Sequence, residues 1–385
     1  PPPPPPPPTT GNMAAILEKR DLRDFDWLTT LLAIAIVSFG VWQIYNAQPT
    51  ETYWSKQIIG LCIALVAFAI VGFSDYRRII DAAPVLYGIG LVLLVLVLIP
   101  GIGMKINGQQ CWIRVPLIGQ FQPSEFVKIP VVLMLAKYFG GRRSGPLGIK
   151  EFLIGCAILA VPLGLIMLEP DTGQAITYFP LLAVVFFLSG IKVRYVAATL
   201  VLGVVMAPVA YWVGVSTGKI KGYQRERIEV IINPENADPR GFAYHTIQSM
   251  ITVGKGGLTG IKGDTETSQA KLKFLPEPHT DFIFAVTAEN TGFIGCISLL
   301  LAYAILLSRL VAGAREAPDR AGMLVIMAIT GGMTFQIFMN MGMVLGFLPV
   351  IGVPLPLMSA GLSAILSTFI AIGFVISVKM RRFVN

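Results

Sequence analysis

Ten apolar runs, of which the fourth and fifth are short for a membrane-spanning helix, constrain what this chain can fold into. About 20 predominantly apolar residues span the hydrocarbon core of a membrane. Only 14% of the 385 residues are charged and 54% are hydrophobic, whereas about a quarter of a soluble domain is charged. The runs cover residues 26–46, 57–74, 82–100, 124–140, 151–168, 171–190, 194–215, 281–311, 321–346 and 354–378. The sequence therefore predicts an all-α polytopic membrane protein with about ten transmembrane helices.

Lysine and arginine are unevenly distributed between the two sides of these predicted spans. With the N-terminus inside, most of them fall on inside segments, and the short outside loops hold only Lys56, Lys105 and Arg114. The positive-inside rule then predicts that both termini are cytoplasmic. This distribution also explains the net charge of +8, so no nucleic acid partner is expected.

Three segments describe the organisation of the chain. Residues 1–12, PPPPPPPPTTGN, are expected to be a linker or a non-native addition, and residues 13–385 a single ten-span membrane domain. Residues 216–280 form a large extracytoplasmic loop between spans 7 and 8, in which we expect short helices on the outer surface. Its lysines and arginines could hold a phosphate-bearing ligand, or the loop could be a solvated segment of mixed charge.

Span 4 begins at QPSEFVKIP, which places two opposite charges near the outer interface. The i,i+3 spacing of Glu125 and Lys128 brings both side chains to one helix face, where they can pair. Charges within membrane spans are costly and usually functional. The pair is therefore either part of a functional site or an interfacial ion pair that fixes the helix end.

Two other acidic segments lie near the same interface. In LEPDTGQ, Asp171 is placed to cap span 6 through backbone N–H groups. In HTDFIFAVTAENTG, Thr280 or Asp281 is a natural N-cap for span 8, and Glu289 lies deeper in the span. A buried glutamate needs a partner, and Lys128 is one candidate, although Glu289 could also be a structural tie between helices.

The inner halves of the predicted spans are nearly free of charged residues. A path for an ion or a proton would need polar groups across the full depth of the membrane. The pattern therefore favours chemistry or binding at the outer surface over transport.

Six segments, in this order, carry a resemblance to a known family: FQPSEFVKI, LEPDTGQ, GYQRERI, YHTIQSMITVGKGGLTG, LPEPHTDFIFA and FLPVIGVPLPLMS. Together they closely resemble the SEDS family (shape, elongation, division and sporulation) of RodA/FtsW-type proteins, over nearly the whole chain after Met13. The GVPLPLMS ending is more similar to the RodA elongation branch than to the FtsW division branch.

The resemblance implies a ten-span fold in the bacterial plasma membrane with its active face outside. It implies a peptidoglycan glycosyltransferase that polymerises lipid II on the outer leaflet for cell elongation and rod shape. The implied partners are a class B penicillin-binding transpeptidase and other membrane proteins of the elongation complex. The essential aspartate of the family maps onto Asp281, and Glu125, Lys128 and Asp171 match further polar positions of its motifs.

The chain departs from the family's common pattern at several points. Cys111 stands where an arginine is usual, while the following Trp112 is retained. The other departures are Pro278, Asn290, Ala360 and Leu362. They bear on how phosphate or the acceptor is gripped, and none of them touches Asp281.

The implied chemistry joins a sugar hydroxyl to an anomeric carbon and displaces undecaprenyl pyrophosphate. A general base activates a weak hydroxyl nucleophile, and Asp281 is expected to be that base. Positive charge for the leaving pyrophosphate would come from Lys128, Arg225 or Arg227, or from a divalent cation, Mg or Mn, held by carboxylates and phosphate oxygens. No organic cofactor is expected.

Other residues complete the predicted substrate site. His279 would either orient Asp281 or close a turn. Glu277 and Glu289, which flank Asp281 in sequence, and Trp112, which is retained beside Cys111, are included as well. A lipid II flippase and a non-enzymatic scaffold for the cell-wall elongation complex are the alternative functions.

Overall fold

The computed structural model describes residues 25–106, 109–115, 119–142, 147–199, 242–261 and 268–382. Its longer helices are α1 (Trp27–Ala47), α2 (Tyr53–Phe73), α4 (Ala83–Leu98), α5 (Pro123–Gly140), α6 (Ile149–Leu168), α8 (Phe179–Ser189), α9 (Phe242–Lys255), α10 (Ile283–Arg315), α11 (Arg320–Val344) and α12 (Leu362–Met380). Two short helices are α3 (Tyr76–Asp81) and α7 (Thr172–Ile176), and three strands are β1 (Gly103–Ile106), β2 (Gln109–Val115) and β3 (Gly119–Phe121).

Seven of the described helical segments are long and apolar enough to cross a membrane, which makes the chain a multi-pass membrane protein. They are α1, α2, α6, α7 with α8, α10, α11 and α12. Helix α4 is apolar but shorter, and α5 carries Glu125, Lys128 and Lys137. Most of the predicted span 194–215 lies outside the described residues, as do residues 1–12. The count of ten spans stays a prediction.

A small antiparallel sheet between α4 and α5 corrects the all-α prediction. Its strand order is β1-β2-β3, with Trp112 opposite Met104 and Ile113 opposite Phe121. The Gln110 side chain donates to the carbonyl of Val97 at 2.9 Å, which ties the sheet to the end of α4. The strands are too short for a clear alternating pattern, so hydrophobic periodicity did not reveal them.

Prolines move two of the predicted span boundaries. Helix α12 begins at Leu362 instead of residue 354, because Pro354 and Pro356 lack the N–H groups that a helix interior requires. The predicted span 171–190 is divided into α7 and α8 around Thr177 and Tyr178. Pro180 lies in the first turn of α8, where its missing N–H costs nothing.

Helices α11 and α12 are the most buried of the membrane-spanning helices. Helix α12 packs along α2, and α11 packs against α10, α8 and α5. At the end of the bundle where α12 finishes, the buried Asp26 carboxylate forms ion pairs with Lys379 and, at 3.0 Å, with Arg309. These contacts join the start of α1 to the ends of α10 and α12.

Helix α10 is interrupted at Gly292, whose φ of 65° and ψ of −165° are not helical. The glycine-rich segment after α9 supplies hydrogen bonds at the break. Phe293 N–H donates to the carbonyl of Gly257 at 2.9 Å, and Ile261 N–H donates to the carbonyl of Glu289 at 2.9 Å. Buried backbone groups in a membrane protein need such partners, so the GKGGLTG segment and the kink depend on each other.

We predict that Gly292→Ala destabilises the protein. A Cβ atom at this position would lie 2.4 Å from the backbone nitrogen of Gly260, and alanine disfavours positive φ. The expected cost is about 2 kcal/mol or more, measured as a lower thermal midpoint in detergent. Gly88→Ala is the matched control, because a Cβ atom there meets nothing within 4 Å. Equal midpoints for the two variants would contradict this account of the kink.

Candidate functional site

Asp281 lies just before α10, in a loop whose backbone is fixed from two other elements. The Ser359 hydroxyl donates to the carbonyl of Thr280 at 2.7 Å. The Asn340 amide donates to the carbonyls of Asp281 and Val353, both at 2.8 Å. Residue Asp281 is partly buried, and these hydrogen bonds hold its backbone in position.

Ser359 connects this loop to α2 as well. Its hydroxyl accepts from the N–H of Leu355 at 2.8 Å, and its carbonyl accepts from the Gln57 amide at 3.0 Å. The oxygen of the same amide accepts from Gly361 N–H at 3.0 Å. The segment before α12, the Asp281 loop and α2 therefore form one hydrogen-bonded unit.

His279 is buried and stacks on Tyr53, with 3.8 Å between ring centroids. Its Nε2 lies 3.7 Å from the exposed carboxylate of Glu277, and its Nδ1 has no hydrogen-bond partner in the part of the chain that the structure describes. Burial lowers the pKa of His279 to about 4, so the ring is neutral at pH 7. A neutral, stacked imidazole supports the Asp281 loop by packing and offers no positive charge to a phosphate.

A second polar group of side chains lies at the start of α5, and we call Gln122, Glu125, Lys128, Asp171 and Gln174 the polar cluster. Lys128 pairs with Glu125 at 3.1 Å, as the spacing predicted, and 13% of its side chain is exposed. The Gln174 amide donates to Glu125 at 2.5 Å, and the Gln122 amide donates to Asp171 at 2.8 Å. Each carboxylate of the cluster is thus hydrogen-bonded.

Asp171 caps α7, as the sequence predicted, because its side chain accepts from the N–H of Gln174 at 3.0 Å. The predicted cap of α10 is wrong. Phe282 occupies the N-cap position and makes no side-chain capping bond. The Thr280 hydroxyl donates to the carbonyl of Glu277 instead.

The polar cluster and Asp281 meet through the loop between α11 and α12. A Cβ atom on Gly173, in the first turn of α7, would lie only 2.4 Å from the carbonyl oxygen of Ile351. A Cβ atom on the neighbouring Gly352 would lie 3.4 Å from Oδ2 of Asp281. The two glycines therefore bring the capped end of α7 close to the Asp281 carboxylate.

Glu289 does not pair with Lys128, which corrects that prediction. Its fully buried carboxylate accepts from the Ser268 hydroxyl at 2.9 Å and from Gln269 N–H at 2.6 Å. These bonds fix the turn that leads towards Asp281. Among the described residues, Glu289 therefore has a structural role, as the alternative expected, but it ties α10 to the loop at Ser268 and not to another helix.

The remaining predicted site residues are scattered. Trp112 is half-buried on β2, and Arg225 and Arg227 lie outside the described residues. Within the described ranges no group of three His, Cys, Asp or Glu side chains is placed to hold a metal ion. Mg²⁺ is often bound by one or two carboxylates together with substrate phosphates, and the single carboxylate of the partly buried Asp281 fits that arrangement.

The departures from the family pattern are accommodated in the packing. The Asn290 amide donates to Gln43 at 2.9 Å and links α10 to α1. Ala360 N–H donates to the carbonyl of His279 at 2.8 Å, a backbone contact that any side chain permits. Leu362 packs beside Gly60, and Pro278 is buried.

Glu169, in the same LEPDTGQ segment as Asp171, was not among the predicted site residues. This carboxylate is fully buried at the end of α6, and neither of its oxygens has a hydrogen-bond partner in the described structure. Burial, with a smaller contribution from the Asp171 carboxylate, raises the pKa of Glu169 to about 8. The Cys111 thiol is buried beside Asp171 and Glu169, and burial raises its pKa as well. Glu169 therefore holds a proton at neutral pH.

Comparison with known proteins identifies the family. The sequence profile of the family described as "cell cycle protein" (FtsW, RodA, SpoVE) matches residues 24–383. The chain is 35% identical to the peptidoglycan glycosyltransferase MrdB of Escherichia coli (strain K12) over 353 residues, which are 91% of this chain and 92% of MrdB. This protein belongs to the SEDS family.

Two solved structures share the fold. One, described as "Structural coordination of polymerization and crosslinking by a peptidoglycan synthase complex", has a TM-score of 0.79 and 33% identity, covering 94% of this chain and 99% of that chain. The other is the rod shape determining protein RodA of Thermus thermophilus, with a TM-score of 0.70 and 28% identity, covering 94% of this chain and 98% of that chain. These two similarities confirm the mostly helical membrane fold that the resemblance predicted.

We predict that Glu169 makes stability depend on pH. Its pKa rises from 4.5 in an ordinary environment to about 8 in the folded protein. The contribution of Glu169 to the free energy of unfolding is therefore fully present below pH 4.5. It is lost as the pH rises towards 8, by about 1.4 kcal/mol per pH unit. Glu169→Gln removes this term.

Thermal midpoints of wild type and Glu169→Gln, measured in detergent between pH 5 and 9, test this prediction. The thermal midpoint of the variant minus that of wild type should increase as the pH rises. This difference should stop changing above about pH 8. Comparing the two proteins cancels the contribution of His279, which both retain. A midpoint difference that does not change with pH would contradict a proton on Glu169.

Proposed function

We propose that this protein is a peptidoglycan glycosyltransferase that polymerises lipid II into glycan strands, with Asp281 as the general base. The observation that carries the proposal is the position in which the structure holds Asp281. Its backbone is fixed by Ser359 and Asn340, and it lies at the start of a membrane-spanning helix in a SEDS chain. A carboxylate held at that position can meet the polar head of a lipid-linked sugar.

In the proposed reaction, an acceptor sugar hydroxyl attacks the anomeric carbon of the donor. The new carbon–oxygen bond forms as the bond to undecaprenyl pyrophosphate breaks, and the pyrophosphate leaves with the electron pair. Asp281 takes the proton of the attacking hydroxyl. The hydrogen bonds to the carbonyls of residues 280 and 281 keep its carboxylate in place during the transfer, which is the kind of positioning that general-base catalysis needs.

The negative charge on the leaving pyrophosphate must be compensated by positive charge nearby. Lys128 carries one candidate charge, and its pairing with Glu125 keeps the ammonium group near the polar cluster. Arg225 and Arg227 remain further candidates. A divalent cation, Mg or Mn, would be held by Asp281 and phosphate oxygens, and when bound it would neutralise charge on the pyrophosphate.

The orientation follows from the same proposal. Both termini would be cytoplasmic, and Asp281, the polar cluster and the loop 216–280 would face the outside of the plasma membrane, where lipid II is polymerised. The uneven distribution of lysine and arginine supports this orientation. The ten-span count and the single domain over residues 13–385 belong to the same proposal.

The proposed partner protein and the proposed elongation branch of the family are both inferred from similarity. A class B penicillin-binding transpeptidase is the proposed partner, because a related solved structure is described as a complex that coordinates polymerization and crosslinking. The GVPLPLMS segment supports the elongation branch, so a role in rod shape together with other membrane proteins of the elongation complex is proposed. Lipid II is the proposed substrate.

Polymerisation of lipid II by the purified protein, without any partner activity, tests the function. Wild type should produce glycan strands visible on a gel, whereas Asp281→Asn should lower the rate by at least about a hundredfold, since it keeps the shape but removes the base. Glu51→Gln is the matched control. Glu51 is an exposed carboxylate two residues before Tyr53, which stacks on His279.

Three outcomes separate the alternatives. Equal polymer from wild type and Asp281→Asn would remove Asp281 as the base and point to Glu125. If wild type makes no polymer alone but makes it when a catalytically inactive transpeptidase partner is added, the enzyme needs that partner. No polymer in either case, with an active control enzyme, would favour a lipid II flippase or a scaffold.

A further inference from the structure

A cavity of about 840 Å³ lies at the end of the bundle opposite Asp281. It is formed where α8 and α10 end and α11 begins, and its lining includes Leu188, Ser189, Arg315, Arg320 and Met323. None of these residues belongs to the polar cluster or to the Asp281 loop. The cavity is therefore separate from the proposed active site.

The two arginines that line this cavity differ in how their side chains are held. The guanidinium of Arg320 donates to the carbonyls of Arg142 and Ser189 at 3.1 and 3.2 Å, which fixes it beside the last turn of α8. Arg315 is exposed in the last turn of α10, and its guanidinium makes no hydrogen bond or ion pair with any other described residue. Two cationic groups thus border the cavity, one of them held rigidly and the other available.

The acidic residue of the lining, Asp319, is already compensated. Its carboxylate accepts from Gly322 N–H at 2.7 Å, from the hydroxyl of Tyr76 at 2.5 Å and from Arg77 at 3.3 Å. A carboxylate satisfied by three donors opposes an incoming anion less than a free one. The cavity therefore favours a negatively charged group.

The apolar residues in and beside the cavity indicate which kind of anion would bind there. Leu188 and Met323 are apolar, and Phe187, next to Leu188, is 81% exposed on the flank of a membrane-spanning helix. An exposed phenylalanine at this position faces acyl chains. The cavity thus joins a basic rim to a lipid-facing surface, and basic pockets between transmembrane helices on the cytoplasmic side bind anionic lipid head groups.

We propose that this cavity binds the phosphate of an anionic phospholipid, with Arg315 and Arg320 as the cationic groups and the acyl chains lying along α8. In the orientation proposed above, the lipid belongs to the inner leaflet. The proposal does not depend on the glycosyltransferase activity. Because α10 starts two residues after Asp281 and α11 carries Asn340, the lipid would stabilise the two helices that frame the active site.

Native mass spectrometry of the purified protein in detergent tests the proposal. The probes are dioleoyl phosphatidylglycerol, dioleoyl phosphatidylcholine and inorganic phosphate, titrated separately against wild type, Arg315→Ala and Arg315→Lys. Arg78→Ala is the matched control, because Arg78 is also exposed but does not line the cavity. Thermal midpoints without added lipid confirm that each variant is folded.

The first phosphatidylglycerol should bind to wild type more tightly than phosphatidylcholine. Arg315→Ala should weaken that binding about tenfold, the effect of losing one charge-assisted contact. Arg315→Lys should restore most of it and Arg78→Ala should leave it unchanged. Equal weakening by Arg315→Ala and Arg78→Ala would overturn the site, and competition by millimolar inorganic phosphate with no preference for phosphatidylglycerol would overturn the lipid.

Discussion

The rest of the site depends on the hydrogen bonds of Ser359. The Ser359 hydroxyl donates to the carbonyl of Thr280 and accepts from Leu355 N–H. The Ser359 carbonyl accepts from the Gln57 side-chain amide. Unsatisfied polar groups are costly within a membrane protein, so the three segments are held at the positions where these groups are satisfied. The location of the Asp281 carboxylate follows from this constraint.

The same requirement explains two features that otherwise have no connection. The Gly292 break in α10 leaves backbone groups free, and the glycine-rich segment after α9 supplies their partners. Three residues before the break, Glu289 holds the turn that begins at Ser268. One side of α10 thus organises most of the described part of the large loop, and the loop in turn leads the chain back to Asp281.

Helices α10 and α11 connect the two ends of the molecule. At one end they frame the proposed active site through Asp281 and Asn340, and at the other they border the basic cavity through Arg315 and Arg320. Glu169 and Cys111 occupy a different position, buried behind Asp171. A protonated glutamate and a neutral thiol there add no negative charge beside Asp171, whose other acidic neighbour, Glu125, is paired with Lys128.

Hydropathy and motif order determined the membrane class, the family, the Glu125–Lys128 pair and the Asp171 cap, because each of these depends on composition or on residues close in sequence. Only the tertiary structure decided the partner of Glu289, the buried proton on Glu169 and the fixation of Asp281 by Ser359 and Asn340. Those contacts join residues about 20 to 80 positions apart, and Glu169 differs in that its carboxylate has no hydrogen-bond partner among the described residues. Local pattern carries no information about such distances, since which groups meet is set by how the helices pack.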